Sequence, residues 1–122
     1  MKHILLVDDS QIVLTSISKI VTYSGYPVET CLSGAEALEK IAGGYRPDIV
    51  ITDLNMPEMD GYELIDALRK LPACRFIPIL VLTTESGQPH RERAKASGAT
   101  GWLTKPVSAE RLFDVLRQVL PA

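Results

Sequence analysis

The chain has 122 residues, of which 46% are hydrophobic and 23% are charged, and its formal net charge is -2. This length and composition are typical of one globular domain with a single substantial core. The balanced charge provides no overall basic field for nucleic acid or an anionic membrane surface, and the apolar runs are too short to span a bilayer.

Five short apolar segments predict β-strands, at residues 3–8, 28–32, 48–53, 78–83 and 100–105. The first, third and fourth are continuous runs of Val, Ile and Leu, which is the pattern of strands buried on both faces of a sheet. The second and fifth segments are more polar, as is typical of strands at the edges of a sheet. The sequence therefore predicts three central strands and two edge strands.

Helical patterns separate these strands; they lie at residues 10–24, 33–43 and 88–97 and also follow Asp60 and Ser108. Two of them begin with the spacing of a capping box, Ser33 with Glu36 and Asp60 with Glu63. Strand and helix alternate five times, which predicts parallel strands joined by right-handed crossovers with helices on both faces. The expected fold class is a five-stranded α/β sandwich.

The N-terminal residues MKHILLVDD contain neither a long apolar segment nor a small-residue cleavage site of the kind found in secretion signals. The two cysteines, Cys31 and Cys74, lack metal-ligand spacing and allow at most one disulfide. We therefore expect a cytoplasmic protein, in which two reduced thiols are favoured over a disulfide.

Chemically active side chains follow the C-terminal ends of four predicted strands. They are Asp8 and Asp9 after the first, Asp53 after the third, Thr83 and Thr84 after the fourth, and Lys105 after the fifth. Ligands of open parallel sheets bind at this edge, where the strand order reverses. In a sheet of order 2-1-3-4-5 that point lies between the first and third strands, and these two strands carry the carboxylates.

Three carboxylates at one edge repel one another, so the pKa of at least one of them is expected to rise. Mg²⁺ relieves this repulsion, because it binds one or two carboxylates together with water and a phosphate oxygen. A carboxylate beside Mg²⁺ is able to act as a nucleophile and form an acyl phosphate. Taken alone, the pair Asp8-Asp9 is equally compatible with an ordinary turn or helix cap.

Four segments, VDDS, TDLNMPEMDG, VLTTES and GATGWLTKP, resemble the receiver domains of bacterial two-component response regulators. The resemblance covers residues 1–122 as one receiver domain. It implies a flavodoxin-like (βα)5 fold, with a doubly wound five-stranded parallel sheet of order 2-1-3-4-5. It also implies a signalling protein rather than an enzyme, with a sensor histidine kinase as phosphodonor and a phosphatase as a further partner.

The resemblance implies roles for the acids. Asp53 matches the residue that accepts the phosphoryl group from a phosphohistidine of the kinase. Asp9 and Asp53 match direct Mg²⁺ ligands, Asp8 matches a ligand acting through water, and the backbone carbonyl of Asn55 would complete the shell.

Other matched positions concern the phosphoryl group and the switch. Lys105 matches the lysine that pairs with phosphate, and its bond to Pro106 resembles the cis peptide bond of the family. Thr83 matches the switch threonine, which is drawn toward the phosphoryl group on activation. Thr84 is larger than the residue usual at its own position and is expected to narrow access to the phosphoryl group. Trp102 replaces the usual Tyr or Phe of the switch, and its alternative role is that of a partly exposed packing residue.

The segments TTESG and GATGW resemble the stand-alone regulators of chemotaxis, whose output is protein docking, for example at the flagellar motor switch. The family docks partners on its fourth helix, fifth strand and fifth helix. The fourth helix here, QPHRERAKAS, is almost entirely polar, so a simple solvated face is the alternative.

Four alternatives remain for the function. Within the same class, the chain would be a phosphorelay intermediate or a receiver module of a larger signalling protein. A phosphatase of the haloacid dehalogenase type also places an Asp at a strand end, but it needs a second Asp two residues later, where this chain has Asn55. A flavodoxin-like electron carrier would need a Ser/Thr/Gly phosphate cradle where this chain has acids.

Overall fold

The computed structural model describes residues 2–84 and 87–120. Strands and α-helices alternate along the chain as the sequence predicts. The elements are β1 (Ile4–Val7), α1 (Gln11–Tyr23), β2 (Val28–Cys31), α2 (Gly34–Ala42), β3 (Ile49–Thr52), α3 (Gly61–Arg69), β4 (Ile79–Thr83), α4 (Gln88–Ser97), β5 (Gly101–Thr104) and α5 (Ala109–Val119). A short 3-10 helix, Pro72–Cys74, lies between α3 and β4.

The five strands form one parallel sheet of order β2-β1-β3-β4-β5, which confirms the predicted fold class. Every residue of β1, β3 and β4 is buried, whereas β2 and β5 are partly exposed, as predicted for edge strands. Side chains alternate between the two faces along each strand. As a result, Leu5 and Val7 pack with α2 and α3, while Ile4 and Leu6 pack with α1 and α5.

The helix caps follow the sequence signals, with one difference. Asp60 and Glu63 form the complete capping box, since each side chain accepts a hydrogen bond from the backbone N–H of the other. Ser33 accepts from Glu36 N at 3.1 Å, but the Glu36 carboxylate accepts from the N–H of Leu32, one residue before the cap. In both helices, a carboxylate near the N-terminus satisfies an N–H group that the helix itself leaves unpaired.

The cysteines lie inside the layer between the sheet and helices α2 and α3. Cys31 and Cys74 are both buried and both free, as the sequence predicts. Among the helices of residues 2–84 and 87–120, none has the length and apolarity needed to cross a bilayer.

Candidate metal and phosphorylation site

The register of the sheet brings Asp8 and Asp53 side by side. Val7 of β1 pairs with Thr52 of β3, so the next residue of each strand leaves the sheet at the same level. The backbone N–H of Asp53 donates to the Val7 carbonyl at 3.0 Å, which extends the pairing by one residue. Each of Asp8, Asp9 and Asp53 places one carboxylate oxygen within 4.8 Å of the others. The predicted convergence of the three acids is confirmed.

The three acids differ in exposure. Asp8 and Asp53 are only 1% and 6% exposed, whereas Asp9 lies at the surface. Burying a carboxylate is unfavourable unless it is paired or hydrogen-bonded. The buried pair therefore needs hydrogen-bond donors or a nearby cation.

Lys105 supplies one cation. Its Nζ donates to Asp8 Oδ2 at 2.8 Å and lies 3.3 Å from Asp53 Oδ2. The backbone N–H of Lys105 donates to the Thr83 carbonyl at 2.8 Å, and the Lys105–Pro106 peptide bond is cis, as the resemblance implies. If all three acids are ionised, one lysine leaves the cluster with two negative charges. A divalent cation would balance these two negative charges.

The other oxygens of the two buried acids bind backbone N–H groups. Asp8 Oδ1 accepts from Ser10 N at 2.9 Å, and Asp53 Oδ1 accepts from Leu54 N at 2.8 Å. The first bond is a local turn of the kind that Asp often makes, so the turn interpretation of Asp8 is correct for one of its oxygens. Both Oδ2 atoms face Lys105.

Burial raises the pKa of Asp53 above its usual value, and the negative charge of Asp8 raises it further. Lys105 and the Leu54 N–H oppose this rise without cancelling it. The expected rise of one carboxylate pKa is thus present, but desolvation contributes more than the repulsion between acids. Burial by itself would lower the pKa of Lys105, yet the hydrogen bond to Asp8 and the charge of Asp53 raise it overall.

Thr83 and Thr84 follow the acids along the same edge of the sheet. Thr83 is fully buried at the end of β4, where it pairs with Thr104 of β5. Thr84 is exposed and lines a groove together with Lys105 and Pro106. The predicted narrowing of access by Thr84 and the switch role of Thr83 stay predictions. Glu85 and Ser86, which complete the VLTTES and TTESG segments, lie outside the described residues.

Trp102 occupies β5 opposite Val81 and is partly buried against the core between the sheet and α2 and α3. The guanidinium of Arg91 lies 5.8 Å from the centre of its ring, within the range of a cation–π contact. The packing role considered for Trp102 is therefore observed, and its participation in a switch stays a prediction.

Asn55 is exposed and lies in the loop that connects Asp53 to α3. Two residues of that loop stand out in the structure: Met56 is buried in the core, and Glu58 has a left-handed φ of 67°. The coordination of a metal by the Asn55 carbonyl stays a prediction.

Gly61 is a structural requirement of the site that the sequence patterns do not explain. Its N–H donates to the Leu54 carbonyl at 2.9 Å, and a Cβ at this position would lie 2.3 Å from the Asp53 carbonyl oxygen and 2.7 Å from Leu54 Cα. Only glycine permits this close approach of two backbones. Two signals were available: Gly61 ends the TDLNMPEMDG segment that resembles the family, and it is a glycine in the first turn of a helix, where its intrinsic propensity is poor.

The carboxyl edge of this parallel α/β sheet thus carries two buried acids, a lysine and a buried threonine hydroxyl. Residues 4–117 match the response regulator receiver domain, and the chain belongs to this family. It is a receiver domain of two-component signalling.

Two solved structures show the similarity over the whole fold. The chemotaxis protein CheY4 of Vibrio cholerae is 44% identical, with a TM-score of 0.94, over 98% of this chain and 99% of that one. The receiver domain of sensor histidine kinase PA1611 from Pseudomonas aeruginosa PAO1 is 29% identical, with a TM-score of 0.90, over 99% and 98% of the two chains. The latter structure has a magnesium ion coordinated in its active site cleft.

Curated relatives are longer. The response regulator MprA of Mycobacterium sp. (strain KMS) is 38% identical over 97% of this chain and 50% of its own length. The probable transcriptional regulator ycf29 of Porphyra purpurea is 30% identical over 97% of this chain and 56% of its own length. The chain thus spans about half the length of these relatives.

Proposed function

We propose that this chain is a cytoplasmic, single-domain response regulator that accepts a phosphoryl group on Asp53 and signals by docking to another protein. A phosphohistidine of a sensor histidine kinase is the donor. The observation that carries this proposal is the convergence of Asp8, Asp9 and Asp53 within 4.8 Å, with the Lys105 ammonium ion-paired to two of them. The chain carries the phosphoryl group as a signal and does not turn over a substrate as an enzyme.

The donor set fits Mg²⁺. Carboxylate and carbonyl oxygens are hard ligands, and a site with two uncompensated negative charges favours a divalent ion. Asp9 and Asp53 would hold the ion directly, Asp8 would hold it through water, and the Asn55 carbonyl would complete the shell. The ion, when bound, neutralises the phosphoryl oxygens. The magnesium in the related PA1611 receiver domain supports Mg²⁺ as the ion.

The transfer step uses the Oδ2 oxygen of Asp53. Oδ1 stays hydrogen-bonded to Leu54 N, whereas Oδ2 faces Lys105. Oδ2 attacks the phosphorus of the phosphohistidine, a P–O bond forms as the P–N bond breaks, and the electron pair leaves on the imidazole nitrogen, which is then protonated. Lys105 opposes the rise in the Asp53 pKa that burial causes, and afterwards pairs with a phosphoryl oxygen.

The kinase would dock on an apolar groove that borders the site. Its lining includes Lys105 and Thr84 together with the apolar residues Ile12, Val13, Ile17, Pro106 and Val107. Ile12, in the first turn of α1, is 82% exposed. A protein that presents a phosphohistidine to Asp53 would lie close to this groove, because Lys105 lines the groove and its Nζ lies 3.3 Å from Asp53 Oδ2.

The output surface consists of α4, β5 and α5. Phosphorylation adds about two negative charges, and Thr83 would donate its hydroxyl to one of the new oxygens. Coupling of this change to a docking surface typically alters partner affinity by about 1–3 kcal/mol. Arg91 and Lys95 give α4 two cationic side chains beside Trp102. The 44% identity with CheY4 favours chemotaxis, with the flagellar motor switch as the partner.

A second candidate is a receiver module of a larger signalling protein, or a phosphorelay intermediate. It is favoured by the curated relatives, which are about twice as long as this chain, and by the similarity to the receiver domain of a sensor kinase. A phosphorelay receiver would pass its phosphoryl group on to a histidine phosphotransfer protein, whereas a chemotaxis regulator would retain it until hydrolysis or the action of a phosphatase.

The experiment is incubation with acetyl phosphate and Mg²⁺, followed by intact mass measurement. We expect the addition of one phosphoryl group, and we expect EDTA to prevent it. A chain that gains no phosphoryl group with Mg²⁺ present would refute the proposed function.

A further inference from the structure

Helix α4 has almost no apolar anchor. Of its ten residues, only Ala94 is buried, and most of the others are exposed polar or charged side chains. Burial of one alanine provides little hydrophobic stabilisation. The position of α4 must therefore depend on its polar and aromatic contacts.

The C-terminal end of α4 is held by Arg69 of α3. The Arg69 guanidinium donates to the Gly98 carbonyl from Nε at 3.0 Å and from Nη2 at 2.8 Å. The same side chain donates to the carbonyls of Cys74 and Ile77, so it is fixed by the surrounding backbone. A displacement of α4 would consequently take place in its N-terminal half.

The first two turns of α4 are held by Tyr62, which is only 8% exposed. The Tyr62 hydroxyl lies 3.2 Å from His90 Nδ1, and the Arg93 guanidinium lies 4.0 Å from the centre of the Tyr62 ring. His90 and Arg93 are one turn apart, so one aromatic side chain engages both. We call Tyr62, His90 and Arg93 the α3–α4 clamp.

The turn of α3 that carries Tyr62 also contacts the backbone of the proposed phosphorylation site. Tyr62 directly follows Gly61, whose backbone is packed against the Asp53 carbonyl and Leu54 Cα. The capping box of Asp60 and Glu63 fixes the same turn of α3. Because this contact has no spare space, a shift of the Asp53–Leu54 peptide has to move the first turn of α3, and Tyr62 moves with it.

On its opposite side, α4 contacts the output strand. The Arg91 guanidinium lies 5.8 Å from the centre of the Trp102 ring. Two arginines of α4 thus rest on two aromatic rings, one on α3 and one on β5. A rotation of the N-terminal half of α4 would change both contacts together.

We propose that the α3–α4 clamp couples the state of Asp53 to the position of α4, through Gly61 and Tyr62. This inference rests on the proposed function, because phosphorylation of Asp53 is its input. The route is separate from one through Thr83 and Trp102, since it leaves the site along β3 and α3 rather than along β4 and β5. Tyr62 is accordingly a positioning residue for the output surface.

The test is amide hydrogen exchange of residues 88–97 in the full chain, with and without acetyl phosphate and Mg²⁺. In the wild-type protein, phosphorylation should change exchange in α4, and Tyr62→Phe should reduce that change by about fivefold, the lower end of usual coupling factors. The Phe variant keeps the ring and loses only the hydroxyl. Tyr23→Phe is the matched control, because Tyr23 is 87% exposed on α1.

A double-mutant cycle distinguishes coupling from simple loosening of the helix. If Tyr62 and His90 act as a unit, Tyr62→Phe combined with His90→Gln should reduce the response no further than either variant alone. Additive losses, or an equal response of the wild type and Tyr62→Phe, would overturn the coupling.

Intact mass, measured on the same samples, separates this inference from the function on which it rests. A wild-type chain that gains no phosphoryl group would overturn both. A fully phosphorylated chain whose α4 responds alike in the wild type and in Tyr62→Phe would overturn the coupling alone.

Discussion

Lys105 Nζ donates to Asp8 Oδ2 at 2.8 Å, across a sequence separation of 97 residues. This bond links the end of the last strand to the end of the first, directly beside Asp53. Lys105 therefore serves first as the counterion of buried acids, and a phosphoryl group would have to draw it away from Asp8. The resemblance to receiver domains implies only that Lys105 pairs with phosphate, and its role as counterion is seen only in the structure.

Replacement of Lys105 by Ala should destabilise the metal-free protein by about 3 kcal/mol, because it leaves the buried Asp8 carboxylate without its partner. Added Mg²⁺ should restore part of the loss and should bind more tightly than to the wild type. Urea unfolding in EDTA and in Mg²⁺ measures both effects. Lys70→Ala, which removes an exposed ion pair with Asp66, is the control and should cost less than about 0.5 kcal/mol. Equal losses in the two variants would show that Lys105 is not the required counterion.

Asp9→Ala should abolish Mg²⁺-dependent phosphorylation and leave folding stability nearly unchanged. Asp9 is exposed, so its removal uncovers no core, but it is one of the three converging carboxylates. Calorimetric titration with Mg²⁺ and the rate of phosphorylation by acetyl phosphate are the measurements. Asp66→Ala, at another exposed acid, should change neither. Unchanged kinetics in Asp9→Ala would remove this residue from the metal site.

Gly61→Ala should destabilise the protein by about 2–3 kcal/mol and impair phosphorylation, since the added methyl group meets the Asp53 backbone. Gly43→Ala is the matched control, because its Cβ would make only ordinary contacts at 3.5 Å and its φ is -80°. That control should be neutral or slightly stabilising. Thermal unfolding of both variants tests the close approach of the Gly61 backbone to the Asp53–Leu54 backbone. A Gly61→Ala protein as stable as the Gly43→Ala control would refute this close approach.

The strands, the helices and the three acids were predictable from the sequence for one reason. Continuous apolar runs identify central parallel strands, and a parallel sheet places the residues after all of them at one edge, so Asp8, Asp9 and Asp53 had to meet. The α3–α4 clamp was not predictable, because it depends on how two helices pack side by side. Likewise, the pKa of Asp53 is controlled mainly by burial, which no spacing of charges reveals.

The thiols should be inert in the folded protein. Burial raises the pKa of Cys31 to about 12, and burial also raises the pKa of Cys74. The unfolded chain loses the Cys31 proton first, near its usual pKa of about 9. The stability linked to Cys31 is therefore fully present below about pH 9 and is lost as the pH approaches 12.

Reaction with a thiol reagent at pH 8 measures this directly. We expect no labelling of the native protein within the time that labels both cysteines in urea. Rapid labelling of Cys31 under native conditions would contradict its burial.

The identity of the phosphorylated residue tests the central claim most directly. Wild type, Asp53→Asn and Asp66→Asn are incubated with acetyl phosphate and Mg²⁺, and the bound phosphoryl group is counted by intact mass. We predict one group on the wild type, one on the Asp66→Asn control and none on Asp53→Asn. Full phosphorylation of Asp53→Asn would show that Asp53 is not the acceptor.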